Sequence, residues 1–173
     1  TRLMAPPRLR VAVVDREAVA RAQRLTGKGP ESGFVDRLGN WMSNRQTEGV
    51  TARRPLTLTV LGWQPRHRAV LALVLEQRSR LGNNLQEIRF DPNGTLWLRS
   101  ASLGLVRLGP PDSQLPRRLA VLDHLSKELP GRVKGQRVQS IDLSDPDQPE
   151  LGLPEPPKGN KASTGGGSPT SRD

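Results

Sequence analysis

The chain has 173 residues, a formal net charge of +10 at pH 7 and a hydrophobic content of 34%, which fits one modest domain of roughly 100–150 residues with flanking segments, or two very small ones. It has no cysteine, and this excludes disulfide bonds, thiolate metal sites and cysteine nucleophiles. No run of apolar residues reaches the roughly 18 needed to span a bilayer.

The first third of the chain predicts short strands and one hairpin. Alternating apolar residues over 9–14 indicate a half-buried strand, and residues 19–23 indicate a second one. Residues 26–32 are predicted to be a loop, because Gly, Pro and Ser crowd them. Segments 33–36 and 40–43 flank a short turn that ends in glycine, which favours a hairpin.

The middle of the chain switches between strand and helix periods. Residues 44–54 are polar and are predicted to be loop, whereas residues 56–61 alternate as a strand rich in Thr and Val. From 64 to 81 the apolar residues recur at helical spacing, with proline in the first turn and glycine after the end. Segments 85–91 and 95–99 flank an Asn-Gly pair, which is a strong hairpin signal.

The last third predicts the end of a meander, a second helix and a closing strand. Residues 103–108 form a third meander strand, 115–129 a helix with leucines on one stripe, and 138–143 the final strand. Residues 144–173 are crowded with Pro, Gly, Ser and Asp, so we expect no regular structure there, although 150–153 alternate and could pair briefly. The predicted fold class is α+β, with a mixed, largely antiparallel sheet and two main helices.

Residues able to carry catalysis do not form a recognisable set. His67 and His124 lie on separate predicted helices, and no further ligands at metal spacing accompany them. Gly-x-Gly-x-x-Gly, Walker and Gly-x-Ser-x-Gly patterns are absent. Aspartates such as Asp91 and Asp142 stand where turn formers and strand-end caps are expected. We therefore expect no enzyme activity, no cofactor and no metal.

Four segments carry a family resemblance. Residues 7–20 hold a Pro, an alternating strand and an acidic–basic pair, and residues 34–40 read Phe-Val-Asp-Arg-Leu-Gly-Asn. Residues 58–62 end in Gly before the first helix, and 138–144 hold an apolar-Asp-Leu strand with a polar turn. In this order they resemble the FtsQ/DivIB family of bacterial cell-division proteins, especially cyanobacterial members, although Ala18 stands where the family prefers Pro.

The resemblance implies a domain division and a location. Residues 1–17 would be the last part of a POTRA domain, 18–143 the FtsQ-type β-domain, and 144–173 a disordered Pro/Gly/Ser-rich tail. Family members carry one membrane helix before the POTRA domain. We therefore expect an anchor in the inner (plasma) membrane upstream of Thr1, with this region on the periplasmic, extracytoplasmic side at the division septum.

The resemblance also implies the task of a divisome scaffold. Proteins of this family dock FtsL and FtsB/DivIC-type partners and so help to control septal peptidoglycan synthesis. Their docking surface is the C-terminal strand and the residues after it, where an open strand edge accepts a partner strand. Carried over to this sequence, the partner-binding residues are Ser140, Ile141, Asp142, Leu143, Ser144, Asp145, Leu151, Gly152 and Leu153.

The docking prediction is specific about the edge. We expect the strand near Ile141 to be the open margin of the sheet, so that Ile141→Pro or Leu143→Pro blocks partner capture by removing a backbone donor. The alternative is that Ile141 and Leu143 are simply core residues of an ordinary last strand.

Two other functions remain open at this point. A POTRA-type outer-membrane assembly or transport protein would need repeated POTRA units, and at most one incomplete unit is visible. A basic nucleic-acid-binding module would use the net charge of +10. The arginines, however, are scattered singly or in pairs, and three Trp and two Phe supply no stacking stripe.

Overall fold

A computed structural model of the chain describes residues 16–47, 55–78, 80–81, 85–129, 132–133 and 136–153. Within these ranges lie a nine-stranded sheet, a two-stranded ribbon and two main helices. The predicted α+β class, with a mixed and largely antiparallel sheet, is confirmed.

The strands and helices have the following residue ranges, in chain order within each sheet. The sheet strands are β1 Ala18–Thr26, β2 Gly29–Asp36, β3 Trp41–Ser43, β4 Thr59–Leu61, β5 Leu85–Phe90, β6 Leu96–Ser100, β7 Gly104–Gly109, β10 Ser140–Asp142 and β11 Glu150–Gly152. The ribbon is β8 Arg132–Val133 with β9 Gln136–Arg137. The helices are α1 Asn44–Thr47, α2 Arg68–Gln77 after a 3-10 turn at Pro65–His67, and α3 Leu115–Glu128.

The strand order explains why both main helices cover the same face of the sheet. The order is β11-β10-β7-β6-β5-β4-β1-β2-β3, with parallel pairs at β1/β4, β4/β5 and β7/β10. The connections β4–α2–β5 and β7–α3–β10 both step in the same direction along the sheet. Such crossovers are right-handed, so both helices lie on the same face.

The strand register aligns a row of core residues under the helices. The row crosses the six central strands, and each side chain in it is at most 1% exposed. The helices cover it with leucines and valines such as Leu71, Val74 and Leu119. Burying each aliphatic side chain contributes about 1.5–3 kcal/mol. The row consists of Ala22, Val60, Ile88, Leu98, Val106 and Ile141.

The opposite face of the sheet is polar and open to water. Trp97 lies on it, donates its indole N–H to Asp91 at 2.7 Å and has the Arg107 guanidinium 5.8 Å from its ring centroid. Arg89 pairs with Glu87 at 3.6 Å and Asp91 at 3.9 Å. These charged and polar side chains along β5, β6 and β7 give the face the polar character of an antiparallel sheet surface that faces water.

Both predicted hairpins are confirmed. Between β5 and β6, Gly94 takes a φ of 85°, and the Asp91 N–H donates to the Thr95 carbonyl at 2.9 Å. Between β2 and β3, the buried Asp36 carboxylate accepts the N–H groups of Leu38 and Asn40 at 2.9 and 2.8 Å. These turns are local in sequence, which is why their residues predicted them.

The loop predicted at 26–32 is wrong. Residues 29–32 continue β2, and the antiparallel register with β1 runs without interruption to Thr26 opposite Gly29. Gly29 has a φ of 111°, which lets the chain reverse direction after Thr26. Glu31 binds Arg24 at 2.8 Å across the two strands. Cross-strand pairing therefore overrides the turn-forming composition.

Other predicted bounds shift as well. The strand predicted at 56–61 is reduced to β4, the loop predicted at 44–54 begins with α1, and the long helix ends at Gln77. The tail predicted from residue 144 is wrong for residues 144–153, which form a turn and β11. The strand predicted at 9–14 and the rest of the tail lie outside the described residues.

Candidate docking edge

The strand that we expected to be open is enclosed. β10 pairs with β7 on one side and with β11 on the other. The chain leaves β10, turns through residues 143–149 and returns alongside it, so Ile141 and Leu143 are 1% and 0% exposed. The prediction that the strand near Ile141 forms the open margin is therefore wrong, and both residues belong to the core.

The two proline substitutions expected to block docking would act on the core of the sheet. The Leu143 N–H donates to the Arg107 carbonyl at 2.8 Å, and Ile141 is paired in both ladders. Proline at either position would remove a bond that the sheet uses internally. Loss of partner capture in such a variant would therefore reflect damage to the fold, not the loss of an edge.

The margin of the sheet is instead β11. The alternation of backbone groups along β10 shows which of them face outward. The Gln139 carbonyl accepts the Leu105 N–H at 2.9 Å on the β7 side, whereas the Gln139 N–H donates to the Gly152 carbonyl at 3.0 Å on the β11 side. The Leu143 N–H donates to the Arg107 carbonyl at 2.8 Å, so within β10 and just after it Ile141 and Leu143 face β7. The N–H and C=O groups of Ser140 and Asp142 therefore face β11.

The same alternation fixes the direction of the groups on β11. Glu150 and Gly152 stand opposite Asp142 and Ser140, so their backbone groups bond to β10. The N–H and C=O of Leu151, between them, point away from the sheet. In the part of the chain that the structure describes, no strand pairs with this outer side. Leu151 therefore offers one donor and one acceptor to another chain.

The exposed edge is short, and neighbouring residues keep it short. Pro149 precedes β11 and Pro154 follows Leu153 in the sequence, and proline has no N–H to offer a ladder. A Cβ at Gly152 would meet Ser140 Oγ, so a side chain there would require the Ser140 hydroxyl to rotate away. A short edge interrupted by prolines resists uncontrolled strand pairing, so a partner needs side-chain contacts as well.

An apolar side chain marks the same edge. Leu151 stands opposite Ile141 and so extends the buried row by one strand, yet it is 42% exposed. Leu153, just after β11, packs against the core from the end of the strand. The helix-covered face of the sheet thus ends at Leu151 and Leu153, which we call the apolar step. Within the described residues, no strand or helix covers Leu151 from the outer side.

The edge is acidic in a basic protein. Residues 138–157 contain five acidic and no basic side chains, so all 27 basic residues lie elsewhere. Asp142 binds Arg107 at 3.0 Å, and Asp147 binds Arg117. Glu150 is exposed and forms no ion pair with any described residue.

The charge on Asp142 is held firmly. Partial burial alone would raise the pKa of Asp142, but the Ser144 N–H, which donates to its Oδ1 at 2.8 Å, and the Arg107 guanidinium outweigh it. The pKa of Asp142 therefore lies below its ordinary value of 3.8. The carboxylate next to Glu150 remains ionised at neutral pH.

The other margin of the sheet, β3, carries aromatic packing. The rings of Trp41 and Trp63 lie 5.4 Å apart, and the Arg24 guanidinium is 4.4 Å from the Trp41 centroid. The Trp63 indole N–H donates to the Gly39 carbonyl at 3.0 Å. The chain passes directly from β3 into α1, so this margin offers a poorer template than β11.

Sites of other kinds are not found among the described residues. No group of His, Asp and Glu there could hold a metal ion, and no helix there is long and apolar enough to cross a membrane. His67 is buried and stacks on Phe90 at 4.2 Å, while His124 is exposed on α3. An apolar cavity under α3 measures about 10 Å³, too small for a cofactor.

The predicted partner-binding residues separate into two groups. Leu151, Gly152 and Leu153 lie on or beside the open strand, whereas the remaining six belong to β10 and the turn after it. Glu150 was missed, although its alternation with the next three residues between two prolines was a usable signal. Comparisons of the chain with protein-family models and with curated proteins gave no match.

Proposed function

We propose that this chain is a non-enzymatic docking protein of the bacterial division machinery that captures FtsB/DivIC-type partners, together with FtsL, on the extracytoplasmic side of the inner membrane. Two things support the proposal. One is the resemblance of four sequence segments to the FtsQ/DivIB family. The other is the open outer side of β11, and the observation that carries the proposal is the outward-facing N–H and C=O of Leu151.

The mechanism would be the addition of a partner strand to the sheet. The Leu151 N–H donates to a partner carbonyl, and the Leu151 carbonyl accepts a partner N–H. The apolar step at Leu151 and Leu153 then loses contact with water, which contributes about 25 cal/mol for each Å² buried. Main-chain bonds and apolar burial together hold the partner, and no bond of the sheet itself has to break.

The arrangement of charge speaks against the nucleic-acid alternative. Two arginines on the open face are engaged by carboxylates, in the pairs of Arg89 with Glu87 and of Arg107 with Asp142. The Trp97 indole is likewise fixed by Asp91. A phosphate backbone needs a continuous basic stripe, and these paired arginines do not form one.

The test is capture of the native FtsB/DivIC-type partner and FtsL by the tagged chain. Leu151→Pro removes the outward N–H while leaving the bonds to β10, and Leu151→Ala keeps the N–H but shortens the side chain. We expect capture to be lost, by about tenfold or more, with Leu151→Pro and to be only weakened with Leu151→Ala. Undiminished capture by a folded Leu151→Pro variant would rule out this docking site.

A further inference from the structure

We infer that the strand captured at β11 alternates apolar and basic residues and places a Lys or Arg side chain beside Glu150. The inference rests on the proposed docking function and adds the chemistry by which the partner is recognised. It follows from two rows of side chains that cross the sheet and reach the open edge on opposite faces.

The first row lies on the open face and carries the charge. Arg107 on β7, Asp142 on β10 and Glu150 on β11 stand opposite one another in register. Arg107 neutralises Asp142 at 3.0 Å, which leaves Glu150 as an exposed carboxylate without an ion pair among the described residues. The next position in this row belongs to the added strand, where directly opposed side chains lie about 4.5–5.5 Å apart. A basic residue there completes the alternation of charge.

The second row lies on the helix-covered face and is apolar. Val106, Ile141 and Leu151 stand opposite one another, and their exposure rises from 0% and 1% to 42% at the edge. The residue that the added strand places opposite Leu151 continues this row, so it is expected to be apolar. Neighbouring residues of a strand point to opposite faces. The residue next to the apolar one therefore lies on the open face beside Glu150, where a basic side chain fits.

Charge elsewhere on the chain adds selectivity to this pattern. Four acidic residues, Asp142, Asp145, Asp147 and Glu150, lie on β10, β11 and the turn between them, while the rest of the chain holds 27 basic and 13 acidic residues. A basic partner segment is therefore repelled by the net charge of the rest of the chain and attracted at the β11 edge. An acidic segment finds attraction elsewhere and repulsion at Glu150, which is discrimination by like charge.

A second copy of this chain fits the edge less well than a basic partner. Two β11 strands paired through their Leu151 residues would bring both Glu150 carboxylates to the same small interface without a counter-charge. Only one residue of each edge would contribute both its N–H and its C=O outward. In that register each Glu150 is opposite Gly152 of the other copy, so the two carboxylates lie diagonally on one face, about 7–8 Å apart, and repel each other. So short an interface also falls below the area that stable dimers bury.

The test uses the isotope-labelled full chain and short synthetic peptides in which valine alternates with lysine, threonine or glutamate. The amide resonances of Leu151 and its neighbours are followed by NMR during titration. We expect the lysine peptide to bind about threefold more tightly than the threonine peptide and about tenfold more tightly than the glutamate peptide. Non-specific attraction to the +10 chain would give the reverse order.

Charge reversal at the edge supplies the matched control. Glu150→Lys is expected to invert the order, so that the glutamate peptide binds most tightly. Glu128→Lys makes the same charge change at an exposed position on α3, and the original order should persist.

Each failure points to a different error. Peptides that shift Leu151 without any order, or with an order that Glu150→Lys does not change, would overturn the inferred partner chemistry and leave the docking edge intact. Peptides that never shift Leu151 would overturn the docking edge itself. A Leu151 resonance that moves with protein concentration alone would identify a second copy as the occupant and so contradict the inference.

Discussion

The two margins of the sheet end in opposite ways. At the β3 margin, Trp41 packs against Trp63 and beneath Arg24, and the chain turns at once into α1. At the β11 margin, Glu150 and Leu151 are exposed, and the outward backbone groups meet nothing else in the described part of the chain. One margin thus carries aromatic packing and leads directly into a helix, whereas the other carries exposed side chains and the outward main-chain groups of Leu151.

The difference indicates that the two margins contribute differently to stability. Side-chain contacts around the β3 margin stabilise the fold, because they bury rings and satisfy turn donors. The β11 margin contributes little to the core beyond Leu153, so it can serve recognition at small cost to stability. Open edges are retained in proteins where a partner covers them.

Three changes test the contrast between the margins: a substitution near β3, a substitution in β11, and acidification, which acts through His67 between them.

We expect the largest effect on stability near the β3 margin, from Asp36→Ala. The Asp36 side chain is buried and accepts two backbone N–H groups and the Asn40 amide, the last at 2.8 Å. Removing it leaves those donors without partners, so we expect the free energy of unfolding to fall by about 3 kcal/mol. Urea unfolding measures this.

The matched control for that substitution is Asp36→Asn. It keeps one acceptor oxygen for the turn and should cost about 1 kcal/mol. Partner capture at β11 should be unchanged in either variant wherever the protein is folded. A loss for Asp36→Ala of less than about 0.5 kcal/mol would show that the turn does not depend on this carboxylate.

A smaller effect is expected from acidification, acting through His67 between the margins. Its Nδ1–H donates to the Gly62 carbonyl at 3.1 Å and its Nε2 accepts the Arg66 Nε–H at 3.2 Å, so the ring is neutral. Burial lowers the pKa of His67 below 6.5, the nearby charge of Arg66 lowers it further, and the bond to Gly62 only partly opposes this. The unfolded chain therefore binds the proton more readily than the folded one.

The sign of the pH dependence follows from that difference. The contribution of His67 to stability is fully present well above pH 6.5 and is lost progressively as the pH falls through 6.5 toward the lower pKa of the folded state. The lowered pKa values of Asp112 and Asp142 act only below their ordinary 3.8. Urea unfolding at several pH values should show a slope that His67→Gln abolishes. An identical slope in the variant would assign the effect to another group.

The smallest effect on stability is expected at the open margin, from Leu151→Pro. The N–H that it removes points away from β10, so unfolding should change by less than about 0.5 kcal/mol. Partner capture should be lost nevertheless. Gly152→Pro, one residue along, removes an inward N–H and should be clearly destabilising by the same urea assay. Equal losses from both prolines would mean that the outward direction is misassigned.

Local signals made much of the fold predictable from the sequence. The Asn93-Gly94 turn, the Asp36 turn and the two amphipathic helices are encoded within a few residues, and each was predicted close to its observed position. The parallel partners of β4 and β10 were not derivable, because they are joined through the crossovers. Pairing between distant strands leaves no local mark on composition.

The candidate site was harder to predict for the same reason. β11 is a three-residue strand held by β10 and by packing of Leu153, and it lies in a stretch whose overall composition is that of a disordered tail. The alternation of Glu150 to Leu153 was visible in the sequence, but the composition of residues 144–173 predicted no lasting strand there. The open edge was therefore predicted one strand too far inward, at Ile141, which is buried and paired on both sides.

The most direct test of the open margin is amide hydrogen exchange at Leu151 in the isolated chain. We predict that the Leu151 amide exchanges close to the rate of an unprotected peptide, while the Gly152 amide, which bonds to β10, and the Ile141 amide, which bonds to β7, are slowed. Adding the captured partner should slow Leu151 as well. A Leu151 amide that is already protected in the isolated chain would contradict the account, because its edge would then be occupied.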